Sequence, residues 1–524
     1  MGHAMNLPEA NDDLLRDTSA WVAITAGRAG LHLSVERLRG HAALRLDFDF
    51  GTAGGFVVAR REIRRQLPES YRVRFRLRAQ GAVNDLELKL SDPHNRHVRR
   101  RVLKQATRSA RWRTIEISGE EIEYAWGESG GGVLHELGVI EFAIVAGDGG
   151  RGSVWIKDLQ IIDCPAAAAV HSRASSDTDA HTADDALAGA GWQPRADDAA
   201  PWLQLDVGHE QRYGGLIIDW RERAPPQGFH LRSSSDGERW TPLYQTAAAG
   251  GARSYVPLPD ARFRYLRLEL QAPNAGARLR LQAPGFSRSA EEFWHQLAAN
   301  EPRGHHPRWL QREQCLWTPV GTSSGAPHAL LDEDGRVEFG IGSAMLEPLL
   351  RIGGQLYTWA DVAITRELRE GWMPTPSVIW QGPAWSLHIS AEATARGALR
   401  LRYEFHNHSD AGLQAELFVL LRPFQVTPPW QKFESLGGIH PLHKLRFDGQ
   451  LLQLNDGAFV TALDRPARFH AHAFTCGSLV AAIADDALSA QQELDDPSGY
   501  ASGVLHVTLS TAASGQDSVS FGAA

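Results

Sequence analysis

Arg72-Val73-Arg74-Phe75-Arg76-Leu77-Arg78 alternates a basic with an apolar residue at every step. Successive strand side chains point to opposite faces, so period two over five or more residues marks a half-buried strand. The same pattern lies on both sides of it. Leu44, Leu46, Phe48 and Phe50 face one way, and Arg45, Asp47 and Asp49 the other. Leu86, Leu88 and Leu90 alternate with Glu87 and Lys89. Residues 139–145 and 153–161 read as two more strands around the turn Gly147-Asp148-Gly149-Gly150. Many short strands with turn signals between them predict a sandwich.

A chain of 524 residues exceeds one hydrophobic core; at roughly 100–200 residues per domain it predicts three or four domains. The first sandwich spans 5–164, after a cloning remnant at 1–4. Residues 165–185, rich in Ala, Ser, Asp and Thr without periodicity, read as a flexible linker. A second block follows at 186–284 and a third at 285–524. The third opens with a short helix over 289–299, where Ser289-Ala290-Glu291-Glu292 has the form of a capping box. Strands are then predicted at 337–341, 384–391, 399–406, 413–421, 451–454, 469–474, 479–484 and 503–509. The fold class is all-β: three consecutive β-sandwich domains with a short helix before the third.

Hydrophobic content of 43% and charged content of 22% are those of an ordinary folded protein. A net charge of −8 gives the whole chain no attraction to nucleic acid or anionic lipid. There are 16 Trp against 9 Tyr; Trp stacks on sugar rings, but sandwich-core Trp accounts for most of them. Cys164, Cys315 and Cys476 are far apart and odd in number, so neither a disulfide framework nor a zinc spacing follows. Free thiols and an N-terminus without an apolar signal region predict a cytoplasmic protein, or a periplasmic or secreted one if the chain is a piece of a longer protein. No apolar run is long enough for a membrane span.

Three resemblances rest on particular residues. Trp202-Leu203-Gln204-Leu205-Asp206-Val207-Gly208, the hairpin Ser235-Asp236-Gly237 with Trp240, Arg264-Tyr265-Leu266-Arg267-Leu268 and Trp192 stand in the order seen in discoidin (coagulation factor 5/8 type C) domains. The second block resembles that family, which implies a jelly roll with ligands at the loops of one end. The Asp-Gly turn supplies the positive φ a tight hairpin needs, and Trp240 is expected to plug the core. The first block is similar to bacterial carbohydrate-binding jelly rolls through its closing strand, Gly152-Ser153-Val154-Trp155-Ile156-Lys157-Asp158-Leu159. That resemblance implies a structural calcium at Asp158, against the plainer reading of a surface carboxylate; no other cofactor is called for. The third block is similar to the β-supersandwich that precedes the (α/α) barrel of many bacterial glycoside hydrolases and phosphorylases. Arg402-Tyr403-Glu404-Phe405-His406-Asn407-His408-Ser409 and Leu421-Arg422-Pro423-Phe424 carry it. It implies a C-terminal catalytic domain as a partner beyond this chain.

No pair of carboxylates is placed by motif for glycoside chemistry. Asp332-Glu333-Asp334 and Asp495-Asp496 read as turns. His406 with His408 and His470 with His472 could together form a four-ligand metal site, although His-x-His on a strand is more often exposed or hydrogen-bonded. Arg99-Arg100-Arg101 reads first as a solvated hairpin face and second as a contact for an anionic glycan. No catalytic residue is assigned. The candidates for binding an oligo- or polysaccharide are Tyr124 and Trp126, in a loop before Gly130-Gly131-Gly132, and Trp372 and Trp430, beside prolines. The function expected is that of the carbohydrate-binding and scaffolding part of a bacterial glycoside hydrolase or phosphorylase. A stand-alone lectin, and a glycosidase with its site between the sandwiches, are the alternatives.

Overall fold

The computed structural model describes residues 14–523 apart from 16–18, 39–40, 53, 69, 129–132, 165–168, 222–227, 272, 274, 322–326, 341, 369–374, 394–397, 430–436 and 456. Its five sheets are antiparallel, the arrangement that commonly leaves one face solvated and gives an alternating pattern. The chain divides into two compact units, Met1–Ala169 and Val170–Ala524.

In the first unit a six-stranded and a five-stranded sheet face each other. The six-stranded sheet runs Trp21–Thr25, Phe56–Gln66, Glu136–Val145, Asp85–Ser91, Val98–Leu103, Glu123–Trp126. The five-stranded sheet runs Gly30–Leu38, His41–Asp49, Arg151–Asp163, Tyr71–Gly81, Arg113–Ser118. Leu44, Leu46 and Phe48, Val73, Phe75 and Leu77, and Leu86, Leu88 and Leu90 all enter one shared core. The alternation therefore identified the buried face of each strand.

The second unit begins earlier than expected. His171–Ala174, placed in the linker by composition, pairs antiparallel with the start of Trp202–Trp220. Ala183–Leu187 is a 3-10 turn, capped where the Thr182 N–H and hydroxyl both donate to Asp185 at 2.8 Å. Such short Ser/Thr/Asp-rich elements are held by local side-chain bonds and one edge pairing, which leave no hydrophobic period to read. Residues 165–168 of the linker lie outside the described residues. The long strands Trp202–Trp220 and Arg253–Leu270 pair along their length, with register shifts at Asp206/Gln211 and Tyr213/Gly215. Leu203 and Leu205 before the shifts and Leu216 and Ile218 after them share one core.

The C-terminal part of this unit holds an eight-stranded and a nine-stranded sheet over a single core. Leu479–Ala484, expected as a strand, is a helix. Its sequence, Leu-Val-Ala-Ala-Ile-Ala, is apolar throughout and too short for periodicity to decide; the Ser478 hydroxyl accepts from the Ala481 N–H and starts the helix. The expected helix forms as Ala290–Ala298, with the Ser289 hydroxyl accepting from the Glu292 N–H at 3.1 Å.

That helix joins the two sandwiches of the unit. Phe293, Trp294 and Leu297 pack with Ile217 and Tyr255 from the second sandwich and with Met345, Phe424 and Val426 from the third. Arg253 donates to the Asn300 carbonyl at 2.8 Å, and the Tyr255 hydroxyl to Glu301 at 2.9 Å. The Gly250 N–H donates to the Thr475 carbonyl at 3.0 Å. A Cβ on Gly250 would stand 2.7 Å from the Cys476 carbonyl oxygen, so the approach requires glycine.

Candidate functional site

The strongest candidate lies on the outer face of the six-stranded sheet. Glu123–Trp126 is an edge strand of that sheet, not the expected loop. Trp126 stands opposite Val98, Lys89 opposite Glu141, and Glu141 opposite Arg60. Directly paired residues share a face. Arg60, Lys89, Ser91, Asn95, Trp126 and Glu141 line a groove of about 190 Å³ there.

Trp126 is 47% exposed. The Lys89 ammonium lies 5.4 Å from its ring and 5.9 Å from that of Phe56, which is also exposed. Arg60 donates to Glu141 at 3.0 Å, and Lys89 is 3.3 Å from Glu87. The groove therefore offers donors and acceptors whose charges cancel, beside two exposed aromatic rings that share the Lys89 ammonium. That combination suits a neutral, hydroxyl-rich ligand with an apolar face. The sequence reading missed Arg60, Lys89 and Glu141, since nothing local marks them; the register brings them together. The outward parity of Lys89 was visible, its neighbours were not.

Tyr124 plays a different part. Its ring meets His97 edge-on at 5.5 Å and its hydroxyl bonds the Gly127 carbonyl, so it braces the turn beside the groove. Arg99-Arg100-Arg101 is not a solvated face. Arg99 donates to the Ile122 carbonyl at 2.6 Å and Arg101 lies 3.7 Å from Glu121; only Arg100 joins Glu87 on the outer side. Trp372, Trp430 and Gly130-Gly131-Gly132 lie outside the described residues.

Asp158 sits at a register shift, with φ 53° and the Lys157 ammonium 3.9 Å from its carboxylate. Calcium takes about six to eight oxygen ligands. Among the described residues no group of three or more His, Cys, Asp or Glu is placed to hold a metal ion. The two histidine pairs do not converge either: His406 is on the nine-stranded sheet and His470 and His472 are on the eight-stranded one.

Asp332 and Asp334 of the Asp332-Glu333-Asp334 turn are buried and structural. Arg336, 1% exposed, donates to Glu347 and Asp334 at 2.7 Å each and to Asp332 at 3.2 Å. Arg308 reaches Asp334 at 2.8 Å, and Arg422 shares Glu347 at 3.1 Å. Arg422 also closes a cavity of about 40 Å³ at the junction of the two sandwiches, with Arg253, Tyr255, Trp294, His306 and His472. Arg422 donates to His306 Nδ1 at 3.2 Å, so the ring hydrogen sits on Nε2. Burial, then the Arg422 charge, holds the His306 pKa well below the usual histidine range. Burial likewise lowers that of His472, against its bond to the Gly477 carbonyl.

Both rings are neutral in the fold and take up a proton near pH ~6.5 once unfolded. Their contribution to stability is therefore complete above that pH and lost as pH falls below it toward the folded values. The melting temperature of the chain should drop between pH 7.5 and 5.5, and His306→Gln with His472→Gln should flatten that slope in a fluorimetric scan. A slope unchanged in the double variant would exclude these two rings as its source.

Fold and groove together define a multidomain β-sandwich protein with a shallow groove on one sheet face. Within it, residues 171–282 match the family described as F5/8 type C domain, the discoidin family. Its signature residues act structurally. Trp192 is fully buried, its indole donating to the Ser176 carbonyl at 2.9 Å. Gly237 has φ 79°, and the Asp236 carboxylate accepts from the Glu238 and Arg239 N–H groups, which lowers its pKa to about 2. Arg264 grips Asp206 with two bonds of 2.9 and 3.0 Å, tying two of the motifs together. Trp240 does not plug the core: it lies half-buried on the outside, with the Arg267 guanidinium 4.0 Å from its ring and 4.7 Å from that of Trp202.

Among solved structures the chain is similar to a family 11 carbohydrate-binding module of the Clostridium thermocellum cellulase Lic26A-Cel5E, at 11% identity and a TM-score of 0.25, covering 29% of this chain and 92% of that one. It is also similar to a chitosan-binding module of a Paenibacillus chitosanase/glucanase in complex with chitotriose, at 19% identity and a TM-score of 0.20, covering 22% and 95%. A third is the family 32 module of Clostridium perfringens NanJ in complex with galactose, at 13% identity and a TM-score of 0.19, covering 22% and 90%. No curated protein matches the chain.

Proposed function

We propose that this chain holds glycan for a bacterial carbohydrate-active enzyme, with the groove at Trp126 as the sugar-binding cleft and the C-terminal double sheet as a scaffold for a catalytic domain. The observation that carries the reading is the groove itself: an exposed indole beside side chains whose charges are already paired. Sugar hydroxyls exchange readily with such held donors and acceptors, while the ring face stacks on the indole. The scaffold part rests on the resemblance of 402–409 and 421–424 to the sandwich that precedes an (α/α) barrel.

Titration of the whole chain with neutral β-glucan and galactoside oligosaccharides tests the binding part. Trp126→Ala should weaken the best ligand by about ten-fold or more, as truncation of a central Trp anchor costs ~2 kcal/mol. The melting temperature should hardly move, because the ring is half exposed. Absence of binding to any glycan, or equal affinity in the variant, would sink the proposal. The scaffold part predicts a reading frame that continues into amphipathic helices after Ala524.

A further inference from the structure

The outer face of the other, five-stranded sheet carries a second feature, independent of the groove. Arg72, Arg74, Arg76 and Arg78 all leave the same side of Tyr71–Gly81. Trp155 lies opposite both Arg78 and Arg45, and Lys157 opposite Arg76, so these share that side. The Arg45 guanidinium stands 5.1 Å from the Trp155 ring, Arg78 stands 4.3 Å from the same ring, and Arg78 is 5.4 Å from Trp112. Lys157 lies 4.9 Å from Trp112. The order is thus cation, ring, cation, ring, with a further cation on the last ring.

Charge on this face opposes that of the chain, which is −8. Arg45, Arg151 and Lys157 join the four arginines of 72–78, against Glu36, Asp47, Asp49, Glu116 and Asp158. Those carboxylates are already engaged: Asp47 with Arg45, Asp49 with Arg151, Glu116 with Arg72 and Arg74, Asp158 beside Lys157, and Glu36 with the Trp155 indole N–H at 2.6 Å. Among the described residues, neither Arg76 nor Arg78 forms an ion pair, and the Arg76 Nε–H is buried without a partner.

We propose that this ladder is a binding face for a polysaccharide bearing carboxylate or sulfate groups. Stacking on indole fixes a guanidinium by its faces and leaves its N–H edge free, which is the geometry for a planar or trigonal anion. Outward residues recur every ~6.7 Å along a strand, so the ladder presents a row of anion sites to an extended chain. Trp155, only 5% exposed with Arg45 and Arg78 against its ring, offers no platform for a base, which argues against single-stranded nucleic acid as the ligand.

The test uses the whole chain at low salt with polygalacturonate, dextran sulfate, uncharged dextran and duplex DNA. The carboxylate and sulfate polymers distinguish the two anion sources. Expected is binding to at least one of them, none to dextran, weakening as salt rises, and a loss of about ten-fold or more in R76Q/R78Q. Arg74→Gln, at a half-exposed position off the stack, provides a variant whose folding is not in question and should weaken binding less. Trp126→Ala should bind the polyanion as well as the parent, so failure of the ladder and failure of the groove are read separately. No polyanion binding, affinity unchanged in R76Q/R78Q at preserved melting temperature, or DNA binding as tight as either polymer would overturn the proposal.

Discussion

Arg336→Met should lower the unfolding free energy of the Val170–Ala524 unit by about 3–5 kcal/mol, the usual cost of removing one partner from a buried charge network. Arg336 is the only described cation bonded to Asp332, Asp334 and Glu347 at once. Its loss leaves Glu347 to Arg422 and Asp334 to Arg308, and strands Asp332 inside the protein. Burial already lifts the Asp332 pKa above the usual carboxylate range, with Arg336 opposing the rise. In the variant the carboxyl can shed its penalty only by taking a proton. The destabilisation should therefore be smaller at pH 5.5 than at pH 8.5, which a structural account without charge would not predict. Urea unfolding followed by tryptophan fluorescence at the two pH values measures it; a loss below ~1 kcal/mol, or one independent of pH, would refute the network's role.

The second large effect belongs to the joining helix. Trp294 is 5% exposed and meets Phe424 edge-on at 4.8 Å, Tyr500 at 5.3 Å and Phe474 at 5.5 Å. Trp294→Ala should cost about 3–5 kcal/mol, the range for emptying a buried aromatic site. Because this cluster is shared by two sandwiches, the loss should also uncouple them. The parent unit is expected to melt in one transition and the variant in two, with the discoidin part released first. Differential scanning calorimetry checks this, and a single shifted transition would show that the bonds of Arg253 and Tyr255 hold the junction without the aromatic cluster. A single transition in the parent would make segment 171–282 a fixed companion of the C-terminal sandwich and not a tethered module.

Much of this architecture was legible because strand alternation is a local property. Val73, Phe75 and Leu77 announced their buried face with no knowledge of the partner sheet. Asp236-Gly237 announced a turn that needs positive φ, and Ser289 the start of a helix. Where the reading failed, the deciding contacts were distant or the local signal was degenerate. Leu479–Ala484 is apolar enough for either a strand or a helix. His171–Ala174 is a strand only because Trp202–Trp220 lies beside it. Trp240 reads from its motif as a core residue, yet Arg267 from another strand holds it outside.

The candidate sites divide the same way. Sequence alone determined an all-β chain, a discoidin segment and Trp126 as a residue worth testing. It also displayed the Arg72–Arg78 alternation with which the reading began, but only as the polar side of a strand. Tertiary structure decided that Trp155 and Trp112 would slot between those cations, that Arg60, Lys89 and Glu141 would surround Trp126, and that Asp332 and Asp334 would be buried around Arg336. The physical reason is that side-chain parity along a strand is set by the backbone within a few residues. Which strand lies alongside, and in what register, is set by the packing of the whole core.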